Sequence, residues 1–270
     1  MNTNASPARR HYRAIWISDV HLGFKGSRAE FLLDFLDATD SDYLFLVGDI
    51  IDVWSMRKTF YWPQAHNDVI RAILAKARNG TRVIYIPGNH DEIFRDYVGE
   101  VFGRLEIHSD YVHTTADGRR LLILHGDEFD SVVKCSPWLA RLGSLAYGWL
   151  IRANRYLNIV RRHFGFPYWS LANYLKRRVK NAVNYISSFE NAVLREARER
   201  GVQGVVCGHI HRAEILRMDG ITYCNDGDWV ESCTALVESA EGKLELLSWT
   251  ETVAAREAAS NSDEIEAQAA

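Results

Sequence analysis

The chain has 270 residues, of which 47% are hydrophobic and 25% charged, with a net charge of −3. That make-up belongs to a globular protein with a sizeable core and excludes a disordered or fibrous chain. No apolar run approaches the roughly 20 residues that span a bilayer. None of Cys135, Cys207, Cys224 and Cys233 forms a C-x-x-C pair, so neither a disulfide framework nor a structural zinc site is expected.

Residues 1–13 are polar and read as an N-terminal arm without the apolar run of a signal peptide. Three apolar runs follow, 14–18, 43–47 and 82–86, each the length of a buried strand. Amphipathic helices are predicted between them at 28–38 and 63–79. This βαβαβ rhythm implies a parallel sheet whose carboxyl ends gather polar groups. Two hairpins closed by Asp-Gly turns are predicted, 111–115 with 120–124 and 213–217 with 221–225. Final strands are expected at 233–238 and 243–249. From about 136 to 200 the texture turns helical, with a break at 164–167, and reads as an insertion over a sheet core spanning 14–250. Residues 251–270 are acidic and Ala-rich and are expected to form a flexible tail.

Charge is segregated along this layout. Residues 134–200 hold 13 Lys and Arg against 3 Glu and no Asp, together with 11 of the 31 aromatic residues. A solvated helical hairpin packed on the core would have this composition. So would a surface for an anionic amphiphile, with Arg161, Arg162, Lys176, Arg177, Arg178 and Lys180 as the phosphate or headgroup partners.

Five short blocks carry the chemistry, each just after a predicted strand: Asp19-x-His21, Gly48-Asp49-x-x-Asp52, Gly88-Asn89-His90-Asp91, His125-Gly126-Asp127 and Gly208-His209-x-His211. Alone, an Asp-x-His or a Gly-Asp is usually turn chemistry. Five blocks delivered to one rim of a sheet are another matter, because crowded carboxylates and imidazoles repel or lose solvation unless a cation sits among them. Carboxylate, imidazole and amide oxygen suit manganese, iron or zinc; thiolates are absent from the set. The remaining histidines, His11, His66, His108, His113 and His163, read as surface or core residues. In the turn-like run Asn225–Trp229, Trp229 or Asp228 is a candidate for facing substrate.

In order and placement these blocks resemble the calcineurin-like metallophosphoesterases over most of residues 14–250. The resemblance implies a four-layer α-β-β-α sandwich with a helical lid insertion. It implies one metal held by Asp19, His21, Asp49 and His211, and a second held by Asp49, Asn89, His125 and His209, with Asp49 bridging. The expected cofactor is a pair of divalent ions, manganese first, with iron and zinc as the other candidates. A metal-bridging hydroxide would attack phosphorus in line. His90 would protonate the leaving group, Asp91 would orient His90, and Asp52 and Asp127 would hold ligand histidines.

Length and layout are most similar to the UDP-2,3-diacylglucosamine hydrolase branch of that superfamily. This implies cleavage of a lipid-linked nucleotide sugar to UMP and an acylated sugar 1-phosphate, by a cytoplasmic protein lying peripherally on an anionic inner membrane. One position departs: that branch carries Arg where this sequence has His90, which restores the general superfamily motif and keeps open another phosphodiester or nucleotide as substrate. A nuclease, a protein phosphatase and a non-catalytic metal-binding scaffold are the weaker readings, and nucleic acid is not an expected partner.

Overall fold

The computed structural model describes residues 9–131, 171–256 and 258, and for 131 and 171–184 the backbone alone. The chain divides into two compact units, residues 1–127 with 194–270, and residues 128–193.

The larger unit is built on two β-sheets. In the first, β1 (Arg10–Ile17), β2 (Thr39–Val47) and β3 (Arg82–Ile86) run parallel side by side. They are joined by α1 (Ala29–Ala38) and, beyond the short α2 (Val53–Lys58), by α3 (Gln64–Arg78). The central strands are apolar on both faces because both are covered. Towards α1 and α3, Ile15, Ile17, Leu44 and Leu46 pack with Leu32, Phe35, Val69 and Ile73. Towards the second sheet, Trp16, Phe45, Val47 and Ile84 pack with Leu121, Ile123, Val206 and Cys224, and Trp16 stacks on Phe45 at 5.3 Å.

The strand order of the first sheet is β12-β11-β1-β2-β3-β5-β4, which adds β4 (Val101–Phe102), β5 (Leu105–Ile107), β11 (Thr234–Glu238) and β12 (Leu244–Ser248). The second sheet has the order β6-β7-β8-β10-β9, from β6 (Tyr111–Thr114), β7 (Arg120–Ile123), β8 (Gly204–Cys207), β9 (Glu214–Met218) and β10 (Ile221–Asn225). Both predicted hairpins form. In the second, Asp219 and Gly220 have φ of 49° and 82°, the two left-handed residues that a tight hairpin turn requires. The architecture is the expected mixed α/β fold with two sheets and helices.

Two boundaries differ from expectation. Strand β1 begins at Arg10, so the last part of the predicted arm pairs with Thr39–Ser41 instead of hanging free. At the other end, residues 249–256 and 258 are helical. The Trp249 indole donates to Asp34 at 2.8 Å and the Arg256 guanidinium lies over its ring, which ties down the first turns of what reads as a flexible tail.

In the smaller unit, Tyr185 of α4 (Leu171–Glu199) donates its hydroxyl to Asp130 at 2.7 Å, and Phe189 packs edge-on against Phe129. The predicted break at 164–167, with Arg161 and Arg162, lies outside the described residues. Lys176, Arg177, Arg178 and Lys180 fall on α4, within the stretch where the backbone alone is described. No helix among the described residues is long and apolar enough to cross a membrane.

Candidate metal centre

Every block of the sequence pattern sits just past the carboxyl end of a strand: Asp19 after β1, Asp49 after β2, Asn89 and His90 after β3, His125 after β7, and His209 and His211 after β8. The first three strands are neighbours in one sheet, and β7 and β8 are parallel neighbours in the other. Because the sheets pack face to face, the two rims meet. Backbone hydrogen bonds tie neighbouring strand ends within each rim: Asp19 N–H to Gly48 O at 3.1 Å and His21 N–H to Asp49 O at 2.9 Å in the first sheet, and Gly208 N–H to His125 O at 3.2 Å in the second.

The side chains converge. Three overlapping clusters, Asp19–His21–His211, His21–Asp49–His90 and Asp19–Asp49–His125, each place their donor atoms within 4.8 Å of one another. Asp19 and Asp49 each belong to two clusters, so the arrangement offers neighbouring cation positions that share carboxylates. His211 Nε2 lies 3.0 Å from Asp19 Oδ1, and His125 Nε2 lies 3.5 Å from Asp49 Oδ2. The His209 ring packs at 5.2 Å from that of His125, while its backbone N–H donates to Asp19 Oδ2 at 2.9 Å.

Two features set this rim apart from ordinary turns. Among the described residues, seven that are not glycine have positive φ, and five of them are Asp19, His21, Asp49, His209 and His211. Each such residue costs on the order of 1–3 kcal/mol and persists only where its surroundings enforce it. The second feature is space. A Cβ on Gly88 would lie 2.3 Å from Asp49 Oδ1 and 2.6 Å from His125 Nε2, and one on Gly208 would lie 2.5 Å from Asp19 Oδ2. Glycine stands there because the donors occupy the volume a side chain would need.

The residues fit a divalent ion on a further ground. His21 Nε2, Asn89 Oδ1 and His125 Nε2 are buried without a hydrogen bond, and such groups normally cost about 1–3 kcal/mol apiece. A cation satisfies all three donor types. The electrostatics agree. Burial pushes the Asp19 carboxyl up, but His211, His125 and His21 outweigh it and hold Asp19 well below the ordinary carboxylate range. Asp49 is likewise lowered, by His125 against its burial. His125 is driven well above the usual histidine value by Asp49 and Asp19, despite burial that works the other way. The anionic carboxylates therefore draw positive charge onto their neighbours, which is the charge a metal would supply.

Around this rim, Asp52 accepts from His21 Nδ1 at 3.3 Å and His90 Nδ1 at 3.0 Å, and caps α2 by accepting from the Ser55 N–H at 2.7 Å. Holding Nδ1 of each ring leaves its Nε2 as the other working nitrogen. The His90 ring also lies 4.7 Å from Trp54 and is partly exposed.

Three expectations are corrected. Asp91 does not orient His90. Its buried carboxylate instead accepts from the backbone N–H groups of Gly88, Asp49, Ile50 and Ile51 and from the Tyr85 hydroxyl. It shapes the loop carrying Asp49, because these backbone donors hold its carboxylate away from the His90 ring. Asp127 pairs with Arg95 at 2.7 Å, where it was expected to hold a ligand histidine. Trp229 is fully buried against Phe35 in the core and does not face the rim.

Sequence reasoning missed Ser18 and Asp226. The Ser18 hydroxyl lies 2.6 Å from Asp19 Oδ2 and 2.7 Å from Asp226 Oδ1. Asp226 is fully buried, and burial drives its carboxyl well above the usual range. The signal was present in the Asn225-Asp-Gly-Asp228 run, which read as a turn with a substrate-facing candidate and not as a partner of Asp19.

Sequence comparison agrees with this geometry. The profile described as calcineurin-like phosphoesterase matches residues 12–213. A UDP-2,3-diacylglucosamine hydrolase of Azotobacter vinelandii is 27% identical over 213 residues, 76% of this chain and 84% of that protein. One of the same name from Blochmanniella pennsylvanica is 28% identical over 116 residues, 42% of this chain; the match spans about half of that relative's length, 46%. Among solved structures, an archaeal phosphodiesterase has 13% identity and a TM-score of 0.41, covering 87% of this chain and 98% of its own. With the profile running through all five blocks, the chain belongs to the calcineurin-like phosphoesterase family and is a metal-dependent hydrolase of phosphoester bonds.

Proposed function

We propose that the rim is a dinuclear centre that hydrolyses the pyrophosphate of an acylated nucleotide sugar, UDP-2,3-diacylglucosamine or a close relative. Asp19, His21, Asp49 and His211 hold one ion; Asp49, Asn89, His125 and His209 hold the other, with manganese as the first choice and iron or zinc as alternatives. The observation that supports this reading is the convergence of Asp19, His21, Asp49, His125 and His211, with His90, into overlapping donor clusters. Two bound divalent cations supply Lewis acidity towards phosphoryl oxygens and a lowered pKa for water.

The chain's own residues do the rest. Asp52 fixes the rings of His21 and His90. His90, with Nδ1 so engaged and one edge open, carries the proton to the departing oxygen from Nε2. Asp91 keeps the Asp49 loop in place through backbone N–H groups. The helical insertion at about 136–200 serves as a lid, with Arg161, Arg162, Lys176, Arg177, Arg178 and Lys180 as cations for the anionic part of the substrate. Contact with the anionic inner membrane surface would follow from an acylated substrate.

The UDP-2,3-diacylglucosamine hydrolases to which this chain is similar supply the first choice of substrate. His90 favours a second reading, another small phosphodiester or nucleotide, because the imidazole belongs to the general superfamily motif. The test is His90→Ala. Metal content should stay near that of the parent while turnover falls at least ~100-fold on whichever substrate is physiological. Undiminished turnover of both UDP-2,3-diacylglucosamine and bis-p-nitrophenyl phosphate in that variant removes His90 from the chemistry.

A further inference from the structure

The turn that follows β10 holds buried polar side chains that the proposed chemistry does not use. Asn225 and Asp226 are both fully buried, a setting in which polar groups cost free energy unless they are hydrogen-bonded. Their partners lie on both rims. On the second sheet, the Asn225 amide donates to Gly208 O at 2.7 Å and the Asp226 N–H donates to Cys207 O at 3.2 Å. On the first, Asp226 Oδ1 lies 2.7 Å from the Ser18 hydroxyl, and the Trp229 N–H donates to Asp19 O at 3.1 Å. The Trp229 indole, buried against Phe35, anchors the far end of the turn. One turn therefore ties Gly208, which leads into His209, to Ser18, which leads into Asp19.

Counting hydrogens gives the Ser18 link a direction. A hydroxyl has one hydrogen to donate, yet Ser18 Oγ has a carboxylate oxygen on two sides, Asp19 Oδ2 at 2.6 Å and Asp226 Oδ1 at 2.7 Å, with Gly227 O at 3.2 Å. That hydrogen cannot serve two ionised carboxylates. Asp19 Oδ2 is already an acceptor, from the His209 N–H at 2.9 Å. The second hydrogen therefore belongs to Asp226, which donates to Ser18 Oγ, and Ser18 donates in turn to Asp19 Oδ2. Burial, which pushes the Asp226 carboxyl up, favours the same order.

The consequence falls on Asp19. Its Oδ2 is held from two directions, by Ser18 Oγ and by the His209 N–H. Its Oδ1 is buried with no partner in hydrogen-bond geometry and stands 3.0 Å from His211 Nε2, inside the Asp19–His21–His211 cluster. The two oxygens thus divide the work, one fastened to the protein and one left towards the other metal donors. We infer that Asp226, acting through Ser18, is a positioning residue that aims Asp19 Oδ1 at the cation. The inference rests on Asp19 being a metal ligand, as proposed above, and adds what holds it in that orientation.

The experiment titrates the metal-stripped, full-length protein with manganese and reads the free ion by electron paramagnetic resonance, so that each binding step is followed without reference to turnover. In Ser18→Ala and in Asp226→Ala, one manganese should bind about 10- to 100-fold more weakly, the size expected for an outer partner of a metal ligand, and the other as in the parent. Asp226→Asn keeps a donor for Ser18 Oγ and should leave both steps at parent values. Ser18→Cys, close in size but a weaker donor, should show the same selective loss and covers a failure of Ser18→Ala to fold. Ile73→Val, a change in the buried core on α3, controls for lost packing: it should lower the melting temperature and leave both steps alone. Parent-like binding in the Ser18 variants overturns the inference. So does equal weakening of both steps in Ser18→Ala and Ile73→Val, or an Asp226→Asn protein as impaired as Asp226→Ala. If Asp19→Asn loses one ion while Ser18→Ala keeps both, the metal centre stands and the positioning role falls. A parent protein that binds no manganese removes both.

Discussion

Asp52 is the residue at which the geometry makes its sharpest demand. Its carboxylate accepts from His90 Nδ1 at 3.0 Å, His21 Nδ1 at 3.3 Å, Ser55 N–H at 2.7 Å and Ser55 Oγ at 2.8 Å. Asp52→Asn preserves volume and helix-capping ability, since Asn caps as well as Asp, but removes the charge that makes the two imidazole contacts strong. Outer partners of metal-site histidines are worth about 10- to 100-fold in metal affinity or activity, and two rings depend on this one carboxylate. Turnover should therefore fall by about 100-fold, equivalent to roughly 2.7 kcal/mol of barrier. The lost charge-assisted bonds should lower stability by about 1.5–3 kcal/mol. Steady-state kinetics on bis-p-nitrophenyl phosphate, elemental analysis and thermal melts measure the three effects together. Asp52→Ala should melt a few degrees lower still, because the cap is lost as well. Parent-like turnover in Asp52→Asn, with metal content unchanged, would refute the claim that the carboxylate positions His90.

Other outcomes follow from the same rim. Asp49→Ala should lose metal at both positions, because two donor clusters share that carboxylate; elemental analysis finding two tightly held ions would contradict the bridging assignment. Gly88→Ala should retain secondary structure by circular dichroism and yet bind metal poorly, since its methyl would sit within 2.6 Å of Asp49 and His125 atoms. Stability at acid pH should report on Glu106, whose carboxyl is held down to about 2, from 4.5, chiefly by its hydrogen bond with Arg82. A lowered carboxyl stabilises the fold fully above pH 4.5, and that contribution is lost as pH falls towards 2. The melting temperatures of the parent and Glu106→Gln should accordingly differ by a constant amount above pH 5 and converge through that window; a gap independent of pH would show that the pair contributes nothing through charge.

The first sheet was legible because its strands are short apolar runs separated by helices of clear period. The run at Arg82–Ile86 appears as a strand with unchanged limits. Periodicity could not show that the hairpins near residues 111–124 and 213–225 belong to a separate sheet, since nothing local records which strands pair across the chain. Donors were visible because each follows a strand directly. Partners beyond them were less so. Asp91 sits beside His90 in sequence but points at the Asp49 loop, while Asp52, 38 residues away, reaches the ring. Trp229 read as a candidate for facing substrate because its neighbours are turn formers, yet its side chain fills the core beside Phe35 from within that turn.

The left-handed backbone at the donors has a consequence for how this protein can change. Glycine adopts that conformation without strain, so exchanging His209 or Asp49 for glycine would relieve local tension while destroying the centre. Selection for a sturdier metal-free fold and selection for hydrolysis pull these five positions in opposite directions. A lineage that no longer needed the chemistry would be expected to let them drift towards glycine first, before the hydrophobic interior showed any sign of disuse.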